Sequence, residues 1–233
     1  MPRILLIKTS SLGDVVHNLP VVTDILRRHP DAVVDWVVEE GLQAIPALHP
    51  GVRRRVPVAV RRWRNSLWKS GTRHELRAFG RELRATRYDT VIDTQGLLKS
   101  AIISRCARGR RCGLDWHSAR EPLAPFFDQT FRVPWTLHAV ERNRLLAGLA
   151  LGYEPQGEAD YGIRAAQVPL DWLPAQRYAV LLHATSDAAK LWDEPNWVEL
   201  GRSVGGRGVR CILPWGNAHE HDRARRLADR KST

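Results

Sequence analysis

Short unbroken apolar runs alternate along this chain with longer stretches whose apolar positions recur three or four residues apart. The first run, Arg3-Ile-Leu-Leu-Ile-Lys8, predicts a strand, and the pattern behind it predicts a helix reaching Leu26. Residues 32–38 predict a second strand that ends in Glu39-Glu40, and 56–60 a third. The charged stretch 73–86 reads as a helix, 88–95 as a strand and 97–108 as another helix. Strands that are apolar at successive positions, not alternate ones, are buried on both faces. That is the mark of a parallel sheet covered by helices on either side. Ligands of such sheets lie beyond the carboxyl ends of the strands, so the loops beginning at Thr9, Glu39 and Thr94 are expected to open on one edge.

A helix over 138–151 ends at Gly152 and closes a first domain, residues 1–152. The stretch 153–176, rich in Pro, Gly and Ala, reads as a linker. A second α/β pattern then starts in residues 177–233: strand 178–183, helix 195–204, strand 209–213, helix 218–229. Two β-α units are too few for a free-standing sheet with both faces covered. The second domain is therefore expected to be partial, with apolar strand surface left exposed.

Composition adds some exclusions. The apolar run at residues 4–7 is too short for a signal peptide before Lys8, and no run of 18 apolar residues exists to span a bilayer. Cys106, Cys112 and Cys211 are odd in number and lack metal-ligand spacing, which fits reduced thiols in a cytoplasm. The formal charge is +11, and almost all of the 36 cations are arginines. That balance suits an acidic partner: nucleic acid, an anionic membrane surface, or a phosphorylated or carboxylated glycan. An arginine-rich solvated surface explains it equally.

The chemistry-bearing residues cluster at the predicted strand ends. The turn Thr9-Ser-Ser-Leu-Gly-Asp-Val-Val-His17 lacks the dinucleotide and Walker fingerprints. Ser10, Ser11 and Gly13 at a helix start would present N–H groups to an anion, while Asp14 is either a cap or a reactive carboxylate. Gly205-Gly-Arg-Gly208 follows a helix, not a strand, and reads as a turn. Arg61-Arg-Trp-Arg64, with Trp68 and Lys69, interleaves cations and aromatics. It suits single-stranded nucleic acid, an acidic sugar, or a merely solvated basic loop. Ser118-Ala-Arg-Glu-Pro122 would start a helix with Arg120 turned into the cleft. His183-Ala-Thr-Ser186 mirrors the opening turn and, with Lys190, suits a diphosphate. Trp215 in Leu213-Pro-Trp-Gly216 would flank a base or fill a core, and Glu220 would accept from ribose hydroxyls.

Taken in order, K-T-S-S-L-G-D-V, D-W-V-V-E-E-G, R-R-W-R, D-T-Q-G-L-L-K-S-A, G-L-D-W-x-x-A-R-E-P-L-A, H-A-V-E-R, L-H-A-T-S and L-P-W-G-N-A-H-E resemble the ADP-heptose:lipopolysaccharide heptosyltransferases, from residue 2 to about 229. The resemblance implies a glycosyltransferase-B fold of two Rossmann-like domains, the second incomplete here. It implies transfer of L-glycero-D-manno-heptose from ADP-heptose to the first Kdo of Kdo2-lipid A, with inversion and with neither metal nor cofactor. Asp14 would be the general base, and Lys190 would stabilise the departing diphosphate. Thr185, Ser186 and Glu220, with Ser11 and Gly13, would hold the nucleotide sugar. Lys8, Arg61, Arg62, Arg64, Arg120 and His138 would meet the acceptor's carboxylates and phosphates. The partners implied are the donor, the glycolipid and the anionic cytoplasmic face of the inner membrane, with no role for nucleic acid. Three departures stand out: Asn65 where a further basic residue often follows, Trp192-Asp-Glu-Pro in place of W-P, and no D-T-G-x-x-H block before the chain ends. A truncated, inactive form that keeps only glycolipid binding is the alternative.

Overall fold

The computed structural model describes residues 1–165, 170–185 and 187–232. It divides into two compact units, Met1–Ala166 and Gln167–Thr233.

The first unit is a six-stranded parallel sheet in the order β3-β2-β1-β4-β5-β6. Its strands are β1 (Arg3–Ile7), β2 (Val33–Glu39), β3 (Val52–Val58), β4 (Arg87–Asp93), β5 (Arg108–Leu114) and β6 (Gln129–Phe131). β1 lies between β2 and β4, with Leu6 opposite Trp36 and Ile7 opposite Asp93. Alternate residues of β1 feed two cores. Ile4 and Leu6 pack with Trp36, Ile92 and Leu146 on one face, and Leu5 and Ile7 pack with Val37, Val91 and Phe79 on the other. This two-sided burial is why the sequence of β1 shows no polar alternation.

The covering helices are α1 (Leu12–Val16), α2 (Leu19–Arg28), α3 (Ala44–Ala47), α4 (Val60–Arg64), α5 (Ser70–Ala85), α6 (Leu98–Cys106) and α7 (Ala139–Leu151). Gly152, at φ 75°, ends α7 in the left-handed conformation open to glycine.

Several expected bounds differ. The third strand is Val52–Val58, and Val60 opens α4, so Arg61-Arg-Trp-Arg64 is a helical turn rather than a loop. Its Trp63 is buried on Phe79, at 5.6 Å between ring centroids. No helix starts at Ser118; the chain turns there and makes a short 3-10 segment at Ala124–Phe126. β5 and β6 have no counterpart in the sequence-based expectation. β5 reads Arg-Gly-Arg-Arg-Cys-Gly-Leu, a composition that hides a strand. Two of its three cations are taken up by neighbours: Arg110 donates to the Ala150 carbonyl at 2.7 Å, and Arg111 pairs with Asp128.

Residues 153–165, expected as linker, lie along the first unit. Tyr153 and Tyr161 pack on its core, Asp160 pairs with Arg27 at 2.7 Å, and the Arg164 N–H donates to the Leu48 carbonyl.

The second unit holds two parallel strands, β7 (Tyr178–Val180) and β8 (Arg210–Ile212), with α8 (Glu194–Gly206) and α9 (Ala218–Ser232). Glu194 at the start of α8 gathers Arg223, Arg226 and Arg230 of α9. Both strands are shorter than expected, and Tyr178, Val180 and Leu182 are exposed. Among the described residues no helix is long and apolar enough to cross a membrane.

Candidate active site

The strand order reverses direction between β1 and β4, because β2 and β3 extend one way from β1 while β5 and β6 extend the other. At such a switch point the loops leaving the two central strands part and leave a crevice. A cavity of about 280 Å³ lies there. Its floor and walls come from Lys8, Ser10, Ser11 and Asp14 after β1, Thr94–Leu97 after β4, and Ser118, Arg120, Trp135 and Arg142.

Asp14 belongs to a reciprocal cap at the start of α1. Its Oδ2 accepts from the Ser11 N–H and the Ser11 hydroxyl, each at 2.8 Å. Among the described residues none donates to Oδ1. Partial burial pushes its carboxyl up, but the two Ser11 donors together with Lys8 and His17 outweigh this and hold it below the usual carboxylate range. Asp14 is thus both a helix-start residue and an ionised wall of the cavity.

Lys8 is buried, and its Nζ donates to the Thr94 carbonyl at 2.8 Å. Burial lowers its pKa, against the opposing pull of Asp14 and Asp93. The Arg142 guanidinium stacks on Trp135 at 3.8 Å from the ring centroid, with Arg120 at 5.8 Å from the same ring. Burial and then Arg120 lower the pKa of Arg142. Three cations around one carboxylate make a cavity suited to an anionic, hydroxyl-bearing ligand. Among the described residues no group of three or more His, Cys, Asp or Glu side chains is arranged as a metal site.

Beneath the floor, Asp93 is fully buried, and its Oδ1 accepts from the Gln95 and Gly96 N–H groups. Burial pushes its carboxyl up to about 6, despite the pull of the Ser100 hydroxyl, the two N–H groups and Lys8. The folded chain therefore binds this proton more tightly than the unfolded chain does. Stability from this group is full below the unfolded value of about 4 and is lost as pH rises through about 6. Between pH 4.5 and 7.5 the loss is about 2 kcal/mol, and Asp93→Asn should not show it. Urea unfolding of both proteins at the two pH values measures the difference; parallel behaviour would mean that Asp93 ionises normally.

The other expected site residues are spread more widely. Arg61, Arg62 and Arg64 sit on α4 at the same carboxyl edge but do not line the cavity. Arg62 is engaged by Glu40 and Glu75, and the Arg61 N–H donates to Glu39. His138 caps α7, its Nδ1 accepting from the Val140 N–H, and its ring meets that of His17 edge-on at 5.2 Å. A side chain at Gly13 would meet no atom within 4 Å, so packing does not demand glycine there.

In the second unit, Thr185 accepts from the Asp187 N–H at 3.4 Å, and the exposed Lys190 lies 3.7 Å from Asp187. One Glu220 oxygen accepts from the Gly216 N–H at 2.8 Å, and Trp215 stacks edge-on against His221. Ser186 lies outside the described residues.

A sequence profile of glycosyltransferase family 9 (heptosyltransferase) matches residues 76–233. Lipopolysaccharide heptosyltransferase 1 of Escherichia coli K12 is 47% identical over 232 residues, which is 97% of this chain and 72% of the relative. The enzyme of that name from Pseudomonas aeruginosa is 49% identical over 229 residues, 64% of its length. The chain belongs to glycosyltransferase family 9, the heptosyltransferases. A solved structure of E. coli heptosyltransferase WaaC with ADP-2-deoxy-2-fluoro heptose superposes with a TM-score of 0.89 at 47% identity, covering 97% of this chain and 73% of that one. E. coli ADP-heptose lps heptosyltransferase II, at 19% identity and a TM-score of 0.74, shares the fold.

This family 9 glycosyltransferase thus has the parallel α/β, glycosyltransferase-B architecture expected from its sequence. The sequence reading gives no site role to Gln95, Trp135 or Arg142, which are part of the cavity wall. Arg142 is the last residue of the H-A-V-E-R block and lies one turn into α7, four residues after His138, but only His138 of that block carries an expected site role.

Proposed function

We propose that this family 9 chain moves L-glycero-D-manno-heptose from ADP-heptose to the first Kdo of Kdo2-lipid A, with inversion and without a metal ion. The observation that carries the reading is the ionised Asp14, its Oδ1 free among the described residues, in a wall shared with Lys8, Arg120 and Arg142. Support also comes from the names of the 47%-identical relatives and from the heptose analogue bound to the E. coli protein.

In this reading the acceptor hydroxyl oxygen attacks the anomeric carbon as its bond to the diphosphate breaks. The hydroxyl proton passes to Asp14, and the electron pair leaves with ADP. Lys190 steadies the charge developing on the diphosphate, work that a metal does elsewhere. Thr185 and Ser186 take phosphate oxygens, Glu220 takes a ribose hydroxyl, and Ser11 and Gly13 also bind the nucleotide sugar. Lys8, Arg120 and Arg142 take Kdo carboxylates, while Arg61, Arg62, Arg64 and His138 extend the contact toward lipid A phosphates. The work site is the cytoplasmic face of the inner membrane, where an acidic lipid surface attracts a chain of charge +11.

The test is ADP release from ADP-heptose and a Kdo2-lipid A analogue, with and without EDTA. Release that needs both substrates and ignores EDTA supports the reading. A second reading, a glycolipid-binding module without turnover, is favoured by the confinement of the cationic cavity to residues of the first unit. Acceptor binding without ADP release would select it, and absence of both would overturn the two together.

A further inference from the structure

One side chain ties together the two loops that form the cavity floor. Gln95 Oε1 accepts from the Thr9 N–H at 3.0 Å and from the Ser10 N–H at 3.1 Å. These are the two amides immediately ahead of Ser11, whose own N–H and hydroxyl hold Asp14. Thr9 and Ser10 are both buried, so water cannot readily replace the glutamine oxygen. Gln95 is itself anchored, because its N–H donates to the fully buried Asp93 at 2.8 Å. Lys99 reaches the Ser10 hydroxyl at 3.0 Å and Lys8 the Thr94 carbonyl at 2.8 Å, so the same two loops are also pinned on either side of that tie.

The path therefore runs from Asp93 through the Gln95 backbone to its side chain, then to the 9–10 amides, and on through Ser11 to Asp14. We propose that Gln95 is a positioning residue: its side-chain oxygen sets the 9–11 turn and, through Ser11, the placement of the Asp14 carboxylate in the cavity. Its relevance to catalysis rests on the base reading above; the geometric claim does not.

Three variants separate the possibilities. Gln95→Glu keeps an oxygen at the same reach. Gln95→Asn retains an acceptor but is one methylene short, and Gln95→Leu removes the acceptor. Amide hydrogen exchange at Ser10 and Ser11, and carbon NMR titration of the Asp14 carboxyl, require no turnover. In Gln95→Leu, Ser10 and Ser11 exchange is expected to rise about tenfold or more, with β2 amides unchanged, and the Asp14 titration to move up toward the ordinary carboxylate range. Gln95→Glu is expected to retain wild-type protection at both amides, which a loss of general packing would not predict. Where turnover is measured, Gln95→Leu lowers kcat by about 10- to 100-fold while acceptor Kd holds.

If Gln95→Leu fails to fold, Gln95→Asn carries the same comparison. Wild-type exchange at Ser11 together with an unchanged Asp14 titration in the acceptor-deficient variant would overturn the proposal, whatever happens to kcat. Changed exchange and titration in a protein that never releases ADP would leave the positioning intact and remove the base reading instead.

Discussion

Asp14→Asn is expected to lower kcat by about 100- to 10,000-fold, the range of a lost general base, with little change in folding stability. The stability half follows from the cap geometry. An asparagine oxygen accepts from the Ser11 N–H and hydroxyl where Asp14 Oδ2 now does, and the whole cap is worth only about 1 kcal/mol. The kinetic half follows from charge. An amide cannot take the hydroxyl proton, whereas the carboxylate, held below its usual range, is ionised throughout the physiological window. For the same reason the acid limb of kcat/KM should lie below the ordinary carboxylate range. Steady-state ADP release beside urea unfolding gives both numbers. Near-normal kcat in the variant would reduce Asp14 to a cap residue, and a large fall in stability would make its kinetics uninterpretable as base loss.

Arg144→Met is expected to destabilise the first unit by about 3–5 kcal/mol, because it strands a buried carboxylate. The side chains of Arg144 and Asp24 are 2% and 5% exposed, and Arg144 Nε lies 2.7 Å from Asp24 Oδ2. The guanidinium also reaches Asp24 Oδ1, the Glu141 carboxylate and the carbonyls of Gln156 and Gly157. One planar fork thereby joins α2, α7 and the 153–165 segment. Lysine cannot reproduce that geometry, so Arg144→Lys should recover only a minor part. The double change Arg144→Met with Asp24→Leu should recover most of the loss, since no unpaired charge then remains inside. Equilibrium urea unfolding of wild type, Arg144→Met, Asp24→Leu and the double variant closes the cycle, with Arg144→Lys measured beside them. A single mutant within about 1 kcal/mol of wild type would show that water reaches Asp24 despite its burial.

The 153–165 segment illustrates how far local sequence reaches. Its Pro-Gly-Ala composition reads as linker, yet its backbone carbonyls at 156 and 157 are hydrogen-bonded by an arginine on the preceding helix. β5 illustrates the converse. Three arginines in seven residues disguise a strand whose pairing with β4 and β6 comes from backbone groups, with Arg110 and Arg111 turned to Asp128, Gln129 and the Ala150 carbonyl. Side-chain periodicity cannot report either case, because the partners lie elsewhere in the chain.

By itself, the sequence determined the alternation of two-sided strands with helices, the parallel sheet that this requires, and a turn with Asp14 directly after the first strand. All of these follow from apolar burial and short-range capping, which act within a few residues. The tertiary structure alone decided that β1 and β4 are neighbours at the point where strand order reverses. That neighbourhood brings Gln95 onto the 9–10 amides and closes Trp135 and Arg142 around the same cavity. These contacts span roughly 85 to 130 residues of chain. No local pattern encodes them, because their geometry is set by strand order and register rather than by the residues on either side.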